Sequence, residues 1–150
     1  MFSSLSKKFM ADQVTTAVVV VCLLVAGCSK KWTWEDAMQA LRDDPMASAS
    51  WEGLELLGEI EEANDKAKPP PPAITRCFKL TIPPEEAMTK VKATAEEHGW
   101  VEDASLRTST YVNLEKVVGR TKAGLAISSQ SYRCEKIYQD FDLRVTINYP

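Results

Sequence analysis

The sequence predicts a small α+β domain, in which an antiparallel sheet in the order β-α-β-β-β has one helix packed on one face and is preceded by an N-terminal helical segment. Three observations predict this class. The segments 74–82 and 137–149 alternate apolar and polar side chains, as strands with one buried face do. The segment 84–98 between them has apolar residues at helical spacing. One apolar and one polar face per strand favours an antiparallel sheet that is covered on one side.

Length and composition limit the class of protein. The chain has 150 residues, of which 45% are apolar and 26% are charged, and its formal net charge is −3. This is the size of one ordinary domain and excludes a multidomain enzyme. The nearly balanced charge offers no general basic surface for nucleic acid, so no nucleic-acid partner is expected. The single histidine, His98, disfavours histidine-based metal sites, and the sequence predicts neither a metal nor a cofactor.

Residues 1–27 have the pattern of a secretory signal peptide. Lys7 and Lys8 precede an apolar run over residues 14–26. At a rise of about 1.5 Å per residue, this run is too short to cross a hydrocarbon core of about 30 Å. Cationic residues, a short apolar run and a site of small residues together predict a secretory signal, with a membrane span or a buried helix as the alternative.

The end of this segment, Val25-Ala26-Gly27-Cys28, resembles the lipobox of bacterial lipoproteins. The resemblance implies that a diacylglyceryl group is attached to the thiol of Cys28 and that the peptide is cut between Gly27 and Cys28. It therefore implies a lipid-anchored protein on the extracytoplasmic face of a bacterial membrane, with membrane lipid as a partner. Two acyl chains suffice for stable anchoring, whereas one chain binds only marginally.

The segment 28–73 is expected to comprise the lipid anchor, an acidic helical segment and a proline-rich spacer. Thr33 and Asp36 can form a capping box, and Asp44-Pro45 can end the helix that it opens. Ten acidic and three basic side chains between residues 35 and 68 indicate a solvated acidic face. The apolar face of the predicted helix consists of Trp34, Ala37, Met38 and Leu41.

The segment 50–64 has two open interpretations. Its apolar residues recur every three positions, which favours a helix, but its two glycines weaken a helix by about 1 kcal/mol each. Leu54 and Leu56 fit a short strand instead. The four prolines at 69–72 favour polyproline II, so this run is expected to be a stiff spacer or a turn.

The α+β domain is expected to span residues 74–150. Arg76 interrupts the apolar side of its first strand. Prolines and glutamates at 83–86 suit the start of the helix 84–98, and Gly99 is the expected left-handed stop. Further strands are predicted at 106–118, 123–127 and 137–149.

Cys77 and Cys134 are predicted to form a disulfide. An exported protein folds in a compartment that permits disulfides, and these two cysteines remain after Cys22 is removed with the signal and Cys28 is acylated. Two buried, reduced thiols are the alternative. Because Cys77 lies on the polar side of its strand, the bridge is expected beneath the N-terminal segment if that segment covers the second face of the sheet.

The polar side of the strand 137–149 is the candidate binding face. It comprises Tyr138, Asp140, Asp142 and Arg144. Asp140 and Asp142 would lie about 7 Å apart on one strand face, a spacing that permits acid–base chemistry or cation binding. The simpler interpretation is a solvated row of ion pairs with Arg144. The sequence contains no P-loop, GxSxG, HExxH or dinucleotide fingerprint, and no catalytic residue is predicted.

These observations favour a membrane-anchored lipoprotein with a small, non-catalytic binding or accessory domain. An envelope protein or a cell-wall polymer is the expected kind of partner. The alternative is a small envelope hydrolase that uses surface carboxylates. The chain also resembles small uncharacterised lipoproteins of actinobacteria at Asp43-Asp44-Pro45-Met46-Ala47 and at the helix ending in Gly99-Trp100, a resemblance that brings no function with it.

Overall fold

The structure, a computed structural model, describes residues 31–150 and shows the α+β class that the sequence predicts. Six strands form one antiparallel sheet in the order β1-β2-β6-β5-β4-β3. The helices are α1 (Trp34–Arg42), α2 (Pro84–Glu97) and α3 (Tyr132–Ile137), with 3₁₀ turns at Pro45–Ala47 and Ala104–Leu106. The strands are β1 (Leu54–Glu61), β2 (Ala73–Leu80), β3 (Val101–Glu102), β4 (Tyr111–Val118), β5 (Thr121–Ser128) and β6 (Leu143–Asn148).

One face of the sheet carries the hydrophobic core and is called the core face here. Apolar side chains of β2, β4, β5 and β6 meet those of α1 and α2 in one buried cluster. The two helices therefore cover the same face, and the N-terminal segment is part of the core. The strand side chains in this cluster include Ile74, Phe78, Val112, Leu114, Leu125, Ile127, Leu143, Val145 and Ile147.

The start of α1 follows the predicted capping box. The hydroxyl of Thr33 accepts a hydrogen bond from the backbone N–H of Asp36, and the Asp36 carboxylate accepts one from the Thr33 backbone N–H. These bonds satisfy donors that a helix start leaves free. At the other end, the side chain of Asp44 caps the turn that begins at Pro45.

The end of α2 shows why Gly99 is needed there. Gly99 has a φ of 84°, in the left-handed region, and its N–H donates to the carbonyl of Glu96. The N–H of Trp100 donates to the carbonyl of Ala95, which completes a Schellman motif. The chain thereby turns the Trp100 ring into the core, where it is 2% exposed.

The ambiguous segment 50–64 contains a strand. β1 pairs with β2 in antiparallel register, with a bulge between Leu56 and Gly58. The sheet therefore begins before residue 74, and Trp32–Pro150 forms one compact unit. The expected domain boundary between 28–73 and 74–150 does not separate two compact units, because β1 and β2 belong to one sheet. The proline run lies in the β1–β2 connection and is held at both sides, because Pro70 accepts a hydrogen bond from Trp34 and Pro72 accepts one from Tyr149.

The predicted strand 137–149 is wrong in its first half. Helix α3 occupies 132–137 and β6 begins only at Leu143. Ser131 caps this helix, and Ile137, expected to face inward, is 57% exposed. The alternation of Ile137 and Phe141 with polar neighbours thus arises outside a strand. The predicted strand 106–118 likewise starts only at Tyr111, and the short strand β3 was not predicted.

Candidate functional site

The side of the sheet opposite the core face is called the second face here. Strand pairing arranges its side chains in three rows that cross β4, β5, β6 and β2. Most of these side chains are polar. Gly124 and Ala126, in the middle of the rows, have small side chains or none, so the surface is recessed there. The rows are Tyr111-Ser128-Arg144-Cys77, Asn113-Ala126-Thr146-Thr75 and Glu115-Gly124-Asn148-Ala73.

Helix α3 covers the β1–β2 side of the second face, and the predicted disulfide attaches it there. Cys77 and Cys134 are bonded with an S–S distance of 2.03 Å, and both are fully buried. The cover is therefore α3 and not the N-terminal segment, which packs on the core face. Next to the bridge, the Tyr138 ring lies against Gly58, where a Cβ atom would overlap the phenol hydroxyl.

The four residues of the predicted binding face do not share a strand face. Tyr138 is the C-cap of α3, and Asp140 and Asp142 lie in the connection to β6. Asp140 is exposed and pairs with Lys79 at 3.4 Å, while Asp142 accepts a hydrogen bond from the backbone N–H of Leu80. Of the four, only Arg144 belongs to a strand of the second face. The expected row of ion pairs between these aspartates and Arg144 is therefore wrong.

Arg144 lines a groove of about 410 Å³ on the second face. The groove lies between the proline connection, α3 and the open part of the sheet. Its polar lining comes from Glu62, Thr75, Arg133, Arg144, Thr146 and Asn148, and its apolar lining includes Pro70, Pro71 and Ala126. A volume of this order suits a small ligand or one group of a larger one.

The electrostatics of Arg144 set it apart within the groove. Its Nε is buried and has no hydrogen-bond partner among residues 31–150. Burial lowers the pKa of its guanidinium, the Tyr111 hydroxyl raises this pKa, and the positive charge of Arg133 lowers it. Arg133 itself is paired with Glu62. The side chains of the groove therefore carry one positive charge without a matching carboxylate.

The neutral groups beside Arg144 can donate hydrogen bonds. The hydroxyls of Thr75 and Thr146 lie 3.1 Å apart and are hydrogen-bonded to each other. One hydroxyl hydrogen is used in that bond, so the other is free to point elsewhere. The groove thus combines a guanidinium with a hydroxyl pair, a set that suits an acceptor-rich group.

Several other charged groups in residues 31–150 form ion pairs. Lys92 and Arg107 both pair with Glu102, and Lys116 pairs with the buried carboxylate of Asp44 at 2.9 Å. His98 is exposed at the end of α2. No cluster of three metal-ligating side chains occurs within this part of the chain.

The predicted lipidation and cleavage residues, Gly27 and Cys28, lie outside the described residues. Within residues 31–150, each helix is too short or too polar to cross a bilayer. Comparison of the chain with protein-family models, with curated proteins and with solved structures found no match in any of the three.

Sequence reasoning identified Arg144 but did not include Arg133, Thr75 or Thr146 in the candidate binding face. Arg133 is brought to the groove by α3, whose N-cap signal at Ser131 was visible in the sequence. Thr75 and Thr146 face each other because β2 pairs with β6. That pairing joins residues about 70 positions apart, and no local pattern specifies it.

Proposed function

We propose that this protein is a bacterial lipoprotein, anchored through acylated Cys28 to the extracytoplasmic face of a membrane, whose domain is a non-catalytic binding or accessory module. The lipobox pattern Val25-Ala26-Gly27-Cys28 supports the anchor. The Cys77–Cys134 disulfide supports export, because such bridges persist in oxidising compartments.

The second face is the proposed binding surface. The observation that carries this is Arg144, a half-buried cation whose Nε has no hydrogen-bond partner in residues 31–150, in a groove over the open part of the sheet. Leaving a charge without partners is unfavourable for folding, so its retention favours a role in binding. An envelope protein or a cell-wall polymer is the kind of partner that such an anchored surface would meet.

The positions of Asp140 and Asp142 give no support to a small envelope hydrolase. That alternative relied on Asp140 and Asp142 acting together on one strand face. Instead, Asp140 pairs with Lys79 and Asp142 accepts a hydrogen bond from Leu80, so the two carboxylates serve the connection to β6.

Acylation of Cys28 can be tested directly. Cells that express the wild-type chain or Cys28→Ala are labelled with a clickable palmitate analogue, and the N-terminus of the recovered protein is determined by mass spectrometry. The wild-type chain should be labelled and begin at Cys28, whereas Cys28→Ala should lose both the label and this cleavage. Cys22→Ala is the matched control, because it removes a cysteine from the same apolar run outside the lipobox. Equal labelling of Cys28→Ala and wild type would refute the anchor.

A further inference from the structure

We infer that the groove on the second face binds a singly charged oxyanion, a phosphodiester or a carboxylate group, with Arg144 as its principal ligand. This deepens the proposed function, since it names the chemistry that the proposed binding surface recognises. The inference depends on the geometry of the groove and does not require the lipid anchor.

Arg144 differs from Arg76, the other arginine in the middle of the sheet, in the partners that the chain supplies. Arg76, on β2, lies on the core face, and its Nη1 donates to the carbonyl of Ala49 at 2.6 Å. Its Nε, like that of Arg144, has no hydrogen-bond partner among the described residues, but the carboxylate of Glu59 lies 3.6 Å from it. Arg144, on the neighbouring strand β6, has neither a carbonyl acceptor nor a carboxylate among the described residues. The Tyr111 hydroxyl, in the same row, is a described group that favours its charge, and an anionic ligand is a candidate for the partner of its Nε.

A second feature is the charge of the groove. Its charged side chains are Glu62, Arg133 and Arg144, and the first two are paired with each other. Among these side chains one positive charge is left, and a singly charged anion would neutralise it. Glu62 pairs with Arg133 and not with Arg144, so the Arg144 guanidinium stays available to a ligand. Guanidinium groups bind carboxylate and phosphate oxygens in a planar, two-pronged geometry.

A third feature is the neutral lining. The hydroxyl pair of Thr75 and Thr146 supplies a donor for a second oxygen of the anion. Ala126, in the same row, leaves space above the sheet that a larger side chain would fill. The groove therefore has the charge, the donors and the room for one oxyanion group.

Two sources of this group are compatible with the chain. Pro70, which lines the groove, accepts a hydrogen bond from Trp34, and Trp34 is six residues after Cys28. Six residues span at most about 21 Å, so an acylated protein would keep Trp34 near the headgroup layer. The oxyanion can thus belong to a lipid headgroup or to a soluble ligand or polymer.

The chemistry is tested by NMR on the ¹⁵N-labelled full-length Cys28→Ala chain in non-ionic micelles, which removes any dependence on acylation. Dimethyl phosphate and acetate are titrated at constant ionic strength set with chloride. The Nε–H signal of Arg144 and the backbone amide signals of Thr75 and Thr146 should shift and saturate with at least one of them, and the amide signals report binding in the Arg144 variants. Arg144→Gln should weaken this binding by about tenfold or more, because it removes a charged donor pair.

Two further variants keep the test decisive. Arg144→Lys retains the charge but not the two-pronged geometry, and it should bind more weakly than wild type. Lys136→Gln, which removes an exposed positive charge from α3, should bind like wild type. The inference is overturned if neither anion gives a saturable shift of Arg144, or if Arg144→Gln binds as tightly as Lys136→Gln.

The source is distinguished with the acylated wild-type protein in nanodiscs. If the headgroup is the ligand, the Arg144 signal should shift when phosphatidylcholine is replaced by phosphatidylglycerol, with no added anion. If the ligand is soluble, the signal should shift only when dimethyl phosphate or acetate is added. Failure of acylation in the labelling experiment would leave the micelle titration intact, so the two proposals can fail separately.

Discussion

Each face of the sheet has a partly buried arginine, and the two arginines differ in the contacts that they make. Arg76 and Arg144 lie on the paired strands β2 and β6 and project to opposite sides. Arg76 connects the core face to the N-terminal segment through the carbonyl of Ala49 and stacks over the rings of Trp51 and Phe78. Arg144 makes no comparable contact. A buried cation is therefore expected to stabilise this fold only where the chain supplies its partners.

The pKa shifts of the two guanidinium groups express the same contrast. Burial lowers the pKa of both arginines. For Arg76, the negative charge of Glu59 acts against this shift. For Arg144, the Tyr111 hydroxyl acts against it and the positive charge of Arg133 adds to it, with no carboxylate contributing. Both groups stay protonated, because an arginine starts from a very high pKa. The core face is therefore compensated internally, and the second face is left to attract an anion.

The largest expected effect comes from removing the disulfide, which tests how the second face is covered. Cys77→Ala combined with Cys134→Ala should reduce the free energy of unfolding by about 4 kcal/mol, since a bridge with a sequence separation of 57 strongly restricts the unfolded chain. Urea denaturation measures the change. Hydrogen exchange should accelerate in α3 more than in α2, which the bridge does not touch. Equal acceleration in both helices would contradict a cover specific to the second face.

The next effect concerns Arg76 on the core face. Arg76→Gln should cost about 2 to 3 kcal/mol of unfolding free energy, because it removes charged hydrogen bonds to backbone carbonyls that stay buried. Lys122→Gln, which removes an ion pair with Glu115 that is exposed on both sides, is the control and should change stability by less than about 1 kcal/mol. Equal losses in the two variants would show that Arg76 does not hold the N-terminal segment.

Alanine substitutions at Gly58 and Gly124 compare the part of the second face that α3 covers with the part that is open. Gly58→Ala should cost about 1 to 3 kcal/mol, because its Cβ would overlap the Tyr138 hydroxyl beneath α3. Gly124→Ala should cost much less, because its Cβ would meet the side-chain oxygens of Asn148 at 3.3 Å and Asn113 at 4.0 Å, without overlap. Thermal melts of both variants measure this difference. In a Tyr138→Ala background the cost of Gly58→Ala should largely vanish, and a persistent cost would contradict the contact.

Much of this fold could be predicted from local signals, and the failures have physical reasons. The capping box at Thr33, the helix start at Pro84 and the stop at Gly99 are local, and all three were predicted. The segment 137–149 failed because the alternation continued through Ile137 into a helix that the disulfide and the Ser131 cap hold.

The candidate site was only partly predictable because it is assembled by long-range pairing. The prediction that Arg144 lies on a polar strand face is correct. Tyr138, Asp140 and Asp142 were predicted to share that face because the strand was predicted to begin at residue 137, whereas β6 begins at Leu143. The groove instead depends on the β2–β6 register and on the position of α3. A single sequence indicates which side chains of a strand share a face better than it indicates which other strand pairs with that strand.

A smaller effect is expected in acid at the edge of the core face. The Arg42 guanidinium lowers the pKa of Glu61 below its ordinary value of 4.5, so this pair stabilises the folded state above that pH and ceases to do so as the pH falls through the lowered pKa. Both side chains are partly exposed, which limits the gain to about 0.5 kcal/mol. Glu61→Gln should be less stable than wild type at pH 7, and the difference should disappear in strong acid. A difference that grows in acid would contradict this sign.

The most direct test of the account compares Arg144→Gln with Arg76→Gln in urea denaturation without any added oxyanion. A cation kept for a ligand contributes little to folding, so Arg144→Gln should leave the free energy of unfolding within about 0.5 kcal/mol of wild type or raise it. Arg76→Gln should lower it clearly. If Arg144→Gln destabilises the protein as much as Arg76→Gln does, the second face holds a structural arginine and the distinction between the faces is wrong.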